Sequence, residues 1–393
     1  MTKLFIFGTT RVRNMQLGLL ELLDMKQTYA KIRKDYLEQL KKKIKNNYTE
    51  ISRKLRISPK LVKDLFDGKY AFKLLFLKKL SISVQGIWDK IISFKLKGSK
   101  KEIKLPRKIP FNEDFAWLLG YWLGDRNSAK DGIGVTDTSL EVLSKFLQLI
   151  NMLNIDRKDL RIYVNYAGNP DLDRIARQLN VPRGNCRHVE KTCKALTITV
   201  MFYSRLWARI FSKIEKQVKQ LLDAASPTVK GAFIGGFIDA ESGYFKKSIR
   251  ISQAKKKYIE ILARQFKSIG IKISKVKFSH HLFYIDVKPI SDNLIKFLNL
   301  VRIVNPKKRR DVQKFVYGVK HLQADKVSRE QILKYMKESG SVTIRQVAEN
   351  FNVSYNAAKH AMLRLRKKKL IKEVGKKGSF KLFSLAVNYL NVT

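Results

Sequence analysis

Ala116-Trp117-Leu118-Leu119-Gly120-Tyr121-Trp122-Leu123-Gly124-Asp125 and Ala232-Phe233-Ile234-Gly235-Gly236-Phe237-Ile238-Asp239-Ala240-Glu241 align without gaps. Small residues recur at every fourth position: Ala116, Gly120 and Gly124 in one, Ala232, Gly236 and Ala240 in the other. On an α-helix this spacing makes a flat strip along one face. A glycine inside a helix costs about 1 kcal/mol against alanine. Close packing of two such helices offsets that cost, because no side chains hold the backbones apart. The two segments are therefore expected to pack on each other about a pseudo-twofold axis.

Each segment ends in one acid at the same place, Asp125 and Glu241. An acid at a helix C-terminus faces the negative end of the helix dipole. Two acids brought together also repel each other. A divalent cation relieves both penalties, and hard carboxylates with water and phosphate oxygens suit Mg²⁺, or Mn²⁺ in its place. Metal held there can activate water and stabilise the leaving oxygen of a phosphodiester.

Around these helices, residues 111–318 read as an internal repeat, with copies at 111–222 and 226–318. Each copy opens on its apolar helix and continues with strand and helix patterns. Residues 161–165 and 197–201 alternate with period two in the first copy, as do 248–252 and 283–288 in the second. One face of each strand is apolar and the other polar, basic or aromatic.

The charge names the class of partner. The 393 residues hold 81 Lys+Arg against 33 Asp+Glu, a formal net charge of +48. Such an excess destabilises a compact chain unless something anionic neutralises it, and nucleic acid is the usual partner. A hydrophobic content of 45% indicates a globular chain. No apolar run reaches the roughly 18 residues of a membrane span. The run Leu4–Phe7 is too short for a signal peptide, so the expectation is a cytoplasmic, nucleoid-associated protein that is neither secreted nor membrane-bound. Cys186 and Cys193 match no zinc or disulfide pattern and are expected as free thiols.

The paired segments resemble the two signature motifs of the LAGLIDADG homing endonucleases, single-chain form. Residues 233–243 match closely and 118–125 more loosely, and the resemblance covers about half of the chain. It implies an α+β fold with two pseudosymmetric repeats, each an antiparallel β saddle with helices on one face. It also implies metal-dependent cleavage of double-stranded DNA by a monomer, encoded by a mobile intron or freestanding. Asp125 and Glu241 fall on the family's metal-binding acids. Lys288, at the end of its strand, falls on a basic residue of the catalytic pocket, where it would stabilise the phosphate in the transition state. The pattern departs at Arg126 and Ser242, where glycine commonly follows the acid. It departs again at Met201, the first-repeat counterpart of Lys288. An eroded first site leaves a second reading open, a non-cleaving DNA-binding regulator or intron-splicing cofactor. An intein is disfavoured, because the chain neither begins with Cys or Ser nor ends in His-Asn.

The saddle strands are expected in the major groove, which admits a two-stranded ribbon. Arg161, Tyr163, Asn165, Arg250, Ser252 and Tyr284 lie on the polar face. Lys307 and Lys308, within Asn305-Pro306-Lys307-Lys308-Arg309-Arg310, read as a phosphate clamp. His280-His281 adjoin a turn and lack a metal-spaced partner, so they read as surface residues.

Two further modules flank the repeats. Residues 1–100 read as Lys-rich and helical. Within them, 49–55 and 59–66 form a candidate helix-turn-helix, with Ser58 as N-cap, Pro59 at the first helical position and Gly68 as the stop. Residues 97–110 read as an extended, exposed linker. Residues 325–393 read as a winged helix: helices over 329–338 and 344–350, a turn at Asn352-Val353-Ser354, a basic helix over 354–368 and a wing over 371–384. Lys359, Arg364 and Arg366 on the basic helix would enter the major groove.

Overall fold

A computed structural model of the chain describes residues 15–44, 47–80, 84–125, 131–189, 194–241, 248–324, 328–351, 353, 355–378 and 380–386. The readings at Leu4–Phe7, Arg126, Cys193, Ser242, Asn352 and Ser354 fall outside them. The fold is mixed α and β. Its contacts divide it into two units, Met1–Tyr244 with Arg250–Asp286 and Asn299–Arg309, and Phe245–Ile249 with Val287–Leu298 and Arg310–Thr393. Among the described residues, no helix is long and apolar enough to cross a membrane.

In the first unit the two small-residue segments form the helices Glu113–Asp125 and Pro227–Ala240. Asn112 Oδ1 accepts from Phe115 N at the start of the first, and Ser226 Oγ accepts from Val229 N at the start of the second, ahead of Pro227. The glycines do what the spacing implies. A Cβ on Gly120 would sit 2.1 Å from the Phe233 carbonyl oxygen, and one on Gly236 would sit 2.1 Å from that of Trp117. The contact is reciprocal, since Trp117 aligns with Phe233 and Gly120 with Gly236.

Two sheets follow. One has four strands in the order Gly132–Asp137, Thr197–Tyr203, Leu160–Asn165, Cys186–Val189, the last pairing parallel to its neighbour. The other has three, in the order Ile249–Gln253, Leu282–Val287, Lys277–Ser279. The alternation predicts which face is core: Ile162, Val164, Ile198, Val200, Ile251 and Ile285 are buried, while Arg161, Tyr163, Asn165 and Ser252 are partly exposed. The helices Leu140–Ile150, Arg205–Asp223 and Lys256–Ser268 bring further apolar faces to this unit.

The N-terminal segment, read as helical, is mixed. It does contain the helices Tyr48–Leu55 and Pro59–Phe66, with Ser58 Oγ accepting from Leu61 N. The turn between them bends at Arg56, φ 57°, and Gly68 at φ 75° ends the second. It also holds an antiparallel sheet in the order Phe72–Lys73, Thr28–Ile32, Ile91–Leu96. These short, lysine-interrupted strands earn their place by pairing, and pairing is not visible in local pattern. The expected exposed linker is corrected too. Ile103 exchanges backbone hydrogen bonds with Phe94, Lys108–Pro110 pairs with Gln16–Gly18, and Ile103, Leu105 and Ile109 are buried.

The second unit includes the helices Arg329–Ser339, Ile344–Asn350 and Tyr355–Lys367. Ser328 and Thr343 each close a capping box with a Gln three residues on. A three-stranded sheet runs in the order Ser341–Thr343, Phe380–Leu385, Ile371–Lys377. Its first strand is too short to announce itself in the sequence. Ile332, Met336, Val347, Ala358, Met362, Leu365 and Phe383 form the core.

Candidate active site and nucleic-acid surface

Asp125 is the last residue of its helix and Glu241 the C-cap of the other. Because the helices touch along their glycine strips, the acids arrive together. A Cβ on Gly124 would sit 2.5 Å from that of Ala240 and 3.6 Å from the Glu241 Cγ. Gln253 ties the two ends: its Nε2 donates to the Gly124 carbonyl at 3.2 Å and also to Glu241 Oε1. Thr136 N donates to Asp125 Oδ2 at 2.9 Å.

Burial pushes the Asp125 carboxyl up to about 7, against a weaker downward pull from the Thr136 amide. Burial also pushes Glu241 up to about 7, with the charge of Asp125 adding to the effect. Both acids are thus poised to hold a proton near neutral pH unless a cation arrives. Such a donor pair suits Mg²⁺, which keeps several waters and takes one or two carboxylates plus phosphate oxygens. Among the described residues, no three Asp, Glu, His or Cys side chains gather into a metal cage.

Sequence reading missed four residues around this pair. Asp137 and Gln253 each stand twelve places after an acid, a shared offset that the alignment of the motif helices carries forward. The Tyr121 hydroxyl donates to Asp137 Oδ2 at 2.8 Å. Asp239 is buried and accepts from Trp117 Nε1 at 2.9 Å, Val304 N at 2.8 Å and Asn305 N at 2.9 Å. Nothing in the local sequence signals that closure, since its partners lie 65 or more residues away.

The fourth is Lys308, and it corrects the phosphate-clamp reading. Its ammonium is turned inward, donating to the carbonyls of Ile238 at 2.9 Å, Asp239 at 2.7 Å and Glu241 at 2.6 Å. Burial lowers its pKa, and Asp137, Asp239, Glu241 and Asp125 oppose that shift. Lys307, beside it, is exposed.

Lys288 lies in the second unit, exposed, its carbonyl accepting from Ile290 N at 2.8 Å and Asn293 Nδ2 at 2.9 Å. Met201 is buried, its sulfur lying where a Cβ on Gly134 would be 2.0 Å away.

On the polar faces of the sheets, Arg161 Nη1 donates to the Leu160 carbonyl and the Tyr163 and Tyr203 hydroxyls meet at 3.2 Å. Arg250 forms a fork with Asp286, at 2.8 and 3.3 Å, and stacks over the Tyr284 ring at 4.1 Å. It is thus a preset planar donor rather than a free side chain. His280 and His281 form the hairpin turn itself, at φ 50° and 62°, and both are exposed. In the second unit, Lys359 and Arg364 are exposed, while Arg366 pairs with Glu373 at 3.5 Å.

No family model matches the chain, and no curated protein does. Among solved structures, it is similar to I-DmoI in complex with DNA and Mn, at 19% identity over 49% of this chain and 97% of that one, with a TM-score of 0.34. It is also similar to full-length DUF199/WhiA from Thermatoga maritima, at 11% identity over 65% and 90%, TM-score 0.30. The N-terminal LAGLIDADG domain of DUF199/WhiA matches at 14% over 51% and 89%, TM-score 0.29. At these identities and TM-scores the likeness carries no argument, and the functional reading rests on this chain's own residues.

Proposed function

We propose that the chain is a site-specific DNA endonuclease of the LAGLIDADG homing type, hydrolysing phosphodiester bonds of double-stranded DNA with a divalent cation. The carrying observation is that Asp125 and Glu241 end two helices whose glycine contact is reciprocal. In this reading 111–222 and 226–318 are pseudosymmetric repeats, 1–100 carries a helix-turn-helix and 325–393 is a winged helix. A single chain with two repeats acts as a monomer.

Asp125 and Glu241 would hold the cation, Mg²⁺ or Mn²⁺, which when bound supplies a Lewis acid for water and for the leaving oxygen. The chain's own residues orient the acids. Gln253 fixes one Glu241 oxygen and Thr136 N fixes one Asp125 oxygen. Lys288 stabilises charge on the phosphate. Arg161, Tyr163, Asn165, Arg250, Ser252 and Tyr284 contact the major groove, mixing base and phosphate contacts. Lys307, Lys359 and Arg364 add phosphate contacts.

Arg126 next to Asp125, and Met201 in place of a first-repeat lysine, favour a second reading: a DNA-binding regulator or splicing cofactor that does not cleave. Supercoiled plasmid carrying the DNA that flanks the gene separates the two. The endonuclease linearises it with Mg²⁺ but not with EDTA. The D125N/E241Q variant is expected to bind and not cleave, and cleavage by that variant would remove these acids from the mechanism.

A further inference from the structure

The acid pair has a cation that belongs to the chain. Lys308 stands at the start of the helix Pro306–Ala324. Its ammonium carries three donors, and all three are spent on the carbonyls of Ile238, Asp239 and Glu241. These are carbonyls at the end of the second glycine-striped helix, where helical partners run out and the dipole is negative. Four carboxylates act on the same ammonium, those of Asp137, Asp239, Glu241 and Asp125.

The lysine is also held from behind. Asp239 accepts from the amides of Val304 and Asn305. Asn305 Oδ1 in turn accepts from Lys307 N and Lys308 N, both at 3.1 Å, which starts the helix. The circuit runs from Asp239 to the 304–305 loop, to the Asn305 cap, to Lys308, and back to residues 238–241. Its closure sets the ammonium at one place. Because the donors go to backbone oxygens, the ammonium acts on the acids through its charge alone and does not occupy the carboxylate oxygens that a metal would need.

We propose that Lys308 is a built-in counter-cation and positioning residue, which pins the end of the helix Pro227–Ala240 and keeps Glu241 beside Asp125 before a divalent cation binds. This rests on the reading of Asp125 and Glu241 as paired metal acids.

The test is thermal unfolding of the full chain, in EDTA and across a Mg²⁺ titration, for wild type, K308M, D125N/E241Q and the triple variant. K308M is expected to lose at least ~4 °C in EDTA, to lose less than half as much in the D125N/E241Q background, and to regain most of the loss with Mg²⁺. A lysine that only caps the helix would cost the same in both backgrounds and ignore Mg²⁺, and that result overturns the proposal. If K308M does not fold, K308R and K308Q decide: Arg keeps the charge and Gln keeps only hydrogen bonding, so Arg is expected nearer to wild type. Gln equal to Arg overturns the proposal. Coupling in EDTA needs neither metal nor cleavage. Coupling found without Mg²⁺ response or plasmid cutting would defeat the nuclease reading and leave the counter-cation standing.

Discussion

Gly120 meets the carbonyl of Phe233, and the space between them has no room for a methyl group. A Cβ there would lie 2.1 Å from the oxygen, and the helix backbone on the far side cannot swing away as a flexible side chain would. This closeness delivers Asp125 and Glu241 to one place.

Substituting alanine at Gly120 or Gly236 is therefore expected to destabilise by about 3 kcal/mol, at the upper end for overpacking. Alanine at Gly184, where nothing lies within 4 Å, should be neutral or slightly stabilising. Urea unfolding of the three variants checks this. Equal midpoints for all three would mean that the helices do not pack this closely.

The metal-free protein is expected to lose stability as pH rises. Asp125 and Glu241 are raised to about 7 in the folded chain from ordinary values of 3.8 and 4.5. The folded state then holds more protons than the unfolded one. Their contribution is fully present below about pH 4 and is lost as pH climbs through about 7. D125N/E241Q should flatten this slope between pH 4 and 7, and Mg²⁺ should restore wild type above pH 7. A pH series of unfolding midpoints with and without metal reads both effects.

Asp239 binds three donors, one on an indole and two on the backbone of residues 304 and 305. Asparagine offers one acceptor oxygen and turns an NH₂ toward the remaining donors. D239N is expected to cost about 2–3 kcal/mol through buried donors left unpaired. Because Asn305 starts the helix that carries Lys308, the variant should also shift the response to K308M. Additive effects of D239N and K308M would break the proposed circuit.

The hairpin turn at His280-His281 puts two non-glycine residues at positive φ, where tight hairpins favour Asn-Gly. H280N/H281G is expected to stabilise the protein by about 1 kcal/mol. If the substitution also weakens DNA binding, these exposed imidazoles have a role beyond the turn.

DNA binding should fall steeply with salt. Replacing Lys359 or Arg364 with alanine is expected to weaken all sequences about equally and to lower the salt slope by about 1. Replacing Arg250, preset on Tyr284 by Asp286, should instead relax the preference at one base position. Fluorescence anisotropy against matched and mismatched duplexes separates the two patterns.

Much of this was legible in the order of residues, for local reasons. The small-residue spacing foretold the helix contact because periodicity converts directly into a face. Alternation over 161–165 and 283–288 foretold the buried sides of the strands. Ser58 and Pro59 marked a helix start because a cap bonds only two or three residues away. What the sequence hid is non-local. Asp239, Gln253 and Lys308 act on groups that the chain brings back from a distance. Lys308 was indistinguishable from Lys307 as one more cation in a basic run. The fold turned one ammonium toward helix-end carbonyls and left the other in solvent. Direction of that kind is set by packing and hydrogen-bond closure, which composition and spacing do not encode.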